Sequence, residues 1–126
     1  MTTRLVLADD DALIRAGLAV VLRTAPDLSV VAEAADGLEV VEVCRKHEPD
    51  LVLMDVRMPG IDGVEAARRI ASGASGRTAV VLMSADAHVL TPASLSGRAV
   101  SLLRKERLGP RSLRAIWDAW TAGRRS

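Results

Sequence analysis

Five polar residues stand where short apolar runs end. Asp9 and Asp10 follow residues 5–8, Asp55 follows 51–54 and Ser84 follows 79–83; Lys105 comes after 99–103, beyond Arg104. Their types form one chemical set. Clustered carboxylates repel one another and need a cation or protons to coexist. Oxygen ligands with room for water suit Mg²⁺ (or Mn²⁺), hard ions that favour a few carboxylates plus phosphate. A carboxylate is also a nucleophile toward phosphorus and gives an aspartyl phosphate. The transferred group spreads charge over three equatorial oxygens, which a metal, an ammonium, a hydroxyl and backbone N–H donors can each neutralise in part. Lys105, the Ser84 hydroxyl and the amides after Asp55 and Ser84 supply one of every kind.

These residues can meet only if the apolar runs are strands of one sheet. The runs 5–8, 28–32, 51–54, 79–83 and 99–103 are too short for helices and are bounded by polar or turn residues. Several lack polar alternation, as parallel strands covered on both faces do. Between them lie helical patterns. Ile14, Leu18, Val21, Leu22 and Ala25 form one stripe, ending before Pro26. Leu38, Val41 and Cys44 form a second, and Val64, Ala67 and Ile70 a third. Leu113, Ile116, Trp117 and Trp120 form the last, with Pro110 near its first turn. The fourth, around 88–96, contains Pro92, Ser94 and Ser96 and is followed by Gly97, so a short or distorted helix is expected. Five strands alternating with five helices imply an α/β sandwich with a parallel sheet. In such sheets ligands bind outside the carboxyl ends of the strands, where the five polar residues fall.

The chain has 126 residues, one domain's worth, with 49% hydrophobic content and two aromatic residues, Trp117 and Trp120, so the core must be aliphatic. A net charge of +1 gives no electrostatic reason to expect nucleic-acid binding by this segment. The single cysteine, Cys44, excludes an internal disulfide and a multi-cysteine metal site. No apolar run approaches membrane-spanning length and no signal-peptide pattern opens the chain, so a cytoplasmic location is expected. Residues 1–120 read as the domain. Residues 121–126 read as a tail or the start of a linker.

The segment Val6-Leu7-Ala8-Asp9-Asp10-Asp11-Ala12-Leu13-Ile14-Arg15-Ala16-Gly17 resembles the opening of bacterial response-regulator receiver domains, most of all those of the NarL/FixJ family. The stretch Pro49-Asp50-Leu51-Val52-Leu53-Met54-Asp55-Val56-Arg57-Met58-Pro59-Gly60-Ile61-Asp62-Gly63 is similar to that family's phosphoacceptor segment. The resemblance implies a flavodoxin-like, doubly wound sheet of order 2-1-3-4-5. It implies Asp55 as phosphoacceptor from a sensor histidine kinase. Asp10, Asp55 and the Arg57 backbone carbonyl would bind Mg²⁺, with Asp9 acting largely through a water. Ser84 would hydrogen-bond the phosphoryl group and Lys105 would pair with it. Residues 58–60 would shape the loop, and Asp62 would cap the third helix ahead of Gly63. The output would be transcription through a helix-turn-helix domain absent from this segment, with promoter DNA contacted only there and with homodimerisation possible. Two departures fall on the readout side: Leu102 stands where the family has Tyr or Phe three residues before the lysine, and Pro92 and Gly97 interrupt the fourth helix.

Each signal has a plainer reading. Asp9, Asp10 and Asp11 could serve as helix caps, and Asp11 in particular fits that role. A serine after a strand is usually a turn residue, and Lys105 lies in a basic stretch with Arg104 and Arg107. Trp117 and Trp120 share the stripe of Leu113 and Ile116, which favours core packing over an interface. His47 and His88 are isolated and Cys44 reads as inert core. Two other functions compete. One is an atypical receiver used as a phosphorylation-independent interaction module. The other is a small phosphatase or phosphotransferase with an aspartate nucleophile; haloacid-dehalogenase-like enzymes of that kind place a second acid two residues after the nucleophile, where this chain has Arg57. Asp86 is a candidate for tuning hydrolysis of the phosphoryl group.

Overall fold

The computed structural model describes residues 2–73, 78–84, 100–104, 109, 111, 112, 115 and 118, with backbone alone at 73 and 100–104. Their elements are β1 (Thr3–Ala8), α1 (Ala12–Leu22), β2 (Leu28–Ala34), α2 (Gly37–His47), β3 (Leu51–Asp55), α3 (Gly63–Gly73), β4 (Ala79–Ser84) and β5 (Val100–Arg104). The strands form one parallel sheet of order β2-β1-β3-β4-β5. The expected strand order is therefore present. Among the described residues the helices are three rather than five. The fourth-helix region lies outside them, and of the last helical pattern only 111, 112, 115 and 118 are described as helical.

The two-residue period of the strands sorts their side chains between two cores. Val6, Ala8, Val52, Met54, Val80 and Leu82 pack toward Val40, Val41 and Cys44 of α2 and Ala66, Ala67 and Ile70 of α3. Leu5, Leu7, Leu51, Leu53, Ala79, Val81 and Met83 pack on the other face with Ala19 and Leu22 of α1. Every residue of β3 and β4 is buried, as expected for interior parallel strands. Truncating one of the fully buried leucines, such as Leu53, costs about 2–5 kcal/mol in such packing.

Two helix faces differ from the periodicity reading. In α1, Ala19 and Leu22 are buried while Ile14 is 42% and Val21 44% exposed. The cause is composition: α1 is apolar nearly all round, so spacing does not single out one face. In α2 the buried positions are Gly37, Val40, Val41 and Cys44, whereas Leu38 is 52% exposed beside the groove between α2 and α3. Cys44 is buried as expected, and desolvation pushes its thiol up to about 12. The native thiol thus stays protonated between pH 9 and 12 while the unfolded one ionises, so its contribution to stability falls as pH rises through that window. At pH 8, a thiol-specific reagent is expected to react with native Cys44 roughly 100-fold more slowly than with the denatured chain, as read from the absorbance of the released thiol. Equal rates would contradict this burial.

Candidate functional site at the carboxyl end of the sheet

Because β1 lies between β2 and β3, its outgoing chain turns back to one side while β3 is reached on the other. Such a reversal opens a crevice at the strands' carboxyl ends. Asp9 and Asp10 sit there directly after β1, and Asp55 is the last residue of β3 rather than the residue after it. Ser84 likewise ends β4, one residue beyond Met83, the register partner of Asp55. The carboxylates of Asp9, Asp10 and Asp55 each place an oxygen within 4.8 Å of the others. Asp9 and Asp55 are buried and Asp10 is exposed, so the cluster has a solvent-facing side. Lys105, Asp86 and His88 lie outside the described residues, as do the side chains of Leu102 and Arg104.

Local backbone chemistry holds these acids in place. Asp11 is the N-cap of α1, its Oδ1 accepting from the N–H groups of Leu13 and Ile14 at 3.0 and 3.1 Å, which settles its capping role. The Asp11 N–H donates in turn to Asp9 Oδ1 at 2.9 Å. Asp55 Oδ1 accepts from the Arg57 N–H at 3.0 Å. The strand end is extended by Val56, whose N–H reaches the Met83 carbonyl at 3.0 Å, and whose carbonyl accepts from the Gly63 N–H at 2.8 Å. The loop between β3 and α3 turns at Gly60, with φ of 81°. Asp62 caps α3 as expected, accepting from the Glu65 N–H at 2.8 Å. A shallow depression lined by Asp10, Val56, Arg57, Met58, Pro59 and Asp62 opens beside the acids.

Sequence reading overlooked two members of this site. Arg15 of α1 donates through Nη1 to the Asp9 carbonyl at 2.6 Å and through Nε to Glu33 of β2 at 3.1 Å. A signal existed: Arg15 is the sole charged residue of α1.

The donor set fits a divalent hard cation. Ligand oxygens about 2.1 Å from Mg²⁺ lie about 3 to 4.2 Å from each other, so carboxylates already within 4.8 Å need only side-chain rotation to share one ion. The chain is thus an α/β protein whose parallel sheet brings three carboxylates together at its carboxyl edge, where ligands of such sheets bind.

Comparison with known proteins makes the class specific. Residues 5–116 match the response regulator receiver domain, and the chain belongs to that family. It is 34% identical over 113 residues to the uncharacterized transcriptional regulatory protein YxjL of Bacillus subtilis, which covers 90% of this chain and 52% of that protein. The signal receiver domain of the putative response regulator NarL from Mycobacterium tuberculosis superposes with a TM-score of 0.79 at 31% identity, covering 95% of this chain and 97% of that one. The response regulator domain of Thermotoga maritima CheB gives 0.82 at 29% identity, covering 96% and 98%. The chain spans about half or less of the length of the curated relatives it matches. No helix among the described residues is long and apolar enough to cross a membrane.

Proposed function

We propose that this receiver takes a phosphoryl group on Asp55 from the phosphohistidine of a sensor histidine kinase and thereby switches an attached output. The observation that carries this reading is the convergence of Asp9, Asp10 and Asp55 within 4.8 Å at the ends of two paired strands. A carboxylate oxygen of Asp55 attacks phosphorus, the phosphorus–nitrogen bond of the donor breaks, and its imidazole leaves with the electron pair. Asp9, Asp10, Asp55 and the Arg57 carbonyl would hold Mg²⁺ or Mn²⁺, which supplies charge neutralisation on the phosphoryl oxygens. The Arg57 N–H already points at the Asp55 carboxylate, and the buried Ser84 at the end of β4 offers a hydroxyl to the transferred group. Lys105, immediately after β5, would pair with the same oxygens.

On this reading residues 1–120 are the receiver, with the alternation completed to five helices, and 121–126 are a tail or the start of a linker. The likeness to transcriptional regulatory proteins supports transcription as the output; we propose with it a helix-turn-helix output domain that alone contacts promoter DNA, pairing of receivers and a cytoplasmic setting. The test is incorporation of radiolabel from acetyl phosphate, with about one equivalent per chain expected in Mg²⁺ at saturation. Chelation by EDTA should lower the initial rate by at least about 100-fold, because the charge of the incoming phosphoryl group then meets three carboxylates without the divalent ion. Label that is insensitive to EDTA would reject the metal role, and no label in Mg²⁺ would reject the function.

A further inference from the structure

We infer that Arg15 is a positioning residue that sets the cation affinity of the acidic cluster by clamping the main chain of Asp9. The inference rests on the metal reading above. Among the described residues, three hydrogen bonds hold Asp9. Its N–H donates to the Ala34 carbonyl at the end of β2 at 3.1 Å, and its Oδ1 accepts from the Asp11 N–H at 2.9 Å. Its carbonyl accepts from Arg15 Nη1 at 2.6 Å. The first two are local consequences of the sheet and of the α1 cap. The third comes from a side chain six residues onward and itself needs an anchor. That anchor is Glu33, the penultimate residue of β2, whose Oε1 accepts from Arg15 Nε at 3.1 Å while Arg23 stands 4.0 Å from its Oε2. The Arg15 side chain is only 20% exposed, so this fork is largely screened from water.

The guanidinium is suited to the task because its planar donors hold a carbonyl and a carboxylate at once. An ammonium supplies the same charge without that planar fork. Where ligands are held by a surrounding shell, loss of one supporting partner typically weakens metal binding by about 10- to 100-fold. Arg15 also places a positive charge near the acids, which by itself would oppose a cation. Arg15→Lys separates the two effects, since it keeps the charge and removes the fork.

The experiment is calorimetric titration of Mg²⁺, repeated with Mn²⁺ by electron paramagnetic resonance, on wild type, Arg15→Lys, Glu33→Gln and Val40→Ala. Val40 is fully buried against the sheet face that carries α2 and α3, and serves as a control for general loosening. Arg15→Lys is expected to raise the dissociation constant roughly five- to twentyfold and Glu33→Gln about threefold. Val40→Ala should lower the melting temperature by at least as much and leave the dissociation constant within about twofold. An Arg15→Lys affinity within twofold of wild type overturns the inference while leaving the metal reading intact. So does a Val40→Ala affinity as weak as that of Arg15→Lys. Wild type that titrates with neither ion overturns the metal reading and this inference with it.

Discussion

Asp55→Asn is expected to take up less than about one hundredth of the phosphoryl label that wild type takes from acetyl phosphate in Mg²⁺. The amide matches the carboxylate in size and can still accept from the Arg57 N–H at the end of β3, so the fold should persist. What it lacks is an anionic oxygen able to form the mixed anhydride. A second effect runs the other way. The three acids crowd within 4.8 Å, two of them buried, so removing one charge relieves part of the repulsion among them when no divalent ion is bound. Metal-free Asp55→Asn should therefore be more stable than metal-free wild type by on the order of 1 kcal/mol, read as a rise of a few degrees in melting temperature. In saturating Mg²⁺ that advantage should shrink, because the variant offers one anionic ligand fewer. Wild-type labelling in Asp55→Asn would move the acceptor elsewhere in the chain.

The same geometry weighs against a turnover enzyme. The residue two beyond Asp55 is Arg57, which cannot act as an acid or base near neutral pH. Its backbone N–H is spent on the Asp55 carboxylate instead. The position two beyond Asp55 therefore supplies no acid or base for turnover of an acyl phosphate formed there.

How much of this was legible in the residues follows from what local patterns encode. Asp9, Asp10, Asp55 and Ser84 were readable because each ends an apolar run, and strand order then carries them to one edge of the sheet. The caps Asp11 and Asp62 were readable because a carboxylate two or three residues before an N–H is a local geometry. The buried face of α1 was not, since Leu13, Ile14, Val20 and Val21 are all exposed although apolar. Periodicity needs polar residues for contrast, and α1 has almost none. Arg15 and Glu33 were missed for a different reason. They are 18 residues apart, and only the pairing of β1 with β2 brings them together.

Gly63 shows how a residue with no functional group can decide whether Asp55 is correctly placed. A Cβ added there would lie 2.7 Å from the Asp55 carbonyl oxygen, 2.8 Å from Val56 Cα and 3.0 Å from the Val56 carbonyl oxygen. All three neighbours are backbone, so no side chain can swing aside. Relief requires the start of α3 to move away from the end of β3, which strains the hydrogen bond from the Gly63 N–H to the Val56 carbonyl. Gly63→Ala is therefore expected to destabilise by about 2–4 kcal/mol, the small helix-propensity gain of Ala notwithstanding. For a domain of this size that is a fall of roughly 8–15 °C in melting temperature. The displaced residues flank Asp55 and the Arg57 N–H, so Mg²⁺ affinity should fall as well. Gly17, in the middle of α1, supplies the contrast, because a Cβ there meets nothing within 4 Å. Gly17→Ala should raise stability by about 0.5–1 kcal/mol and leave Mg²⁺ affinity unchanged, since it gains helix propensity without a clash. If Gly63→Ala melts within about 2 °C of wild type, α3 is not pressed against the end of β3 as these distances require. If both variants lose stability equally, the cost lies in helix replacement generally and not in the approach of α3 to Asp55.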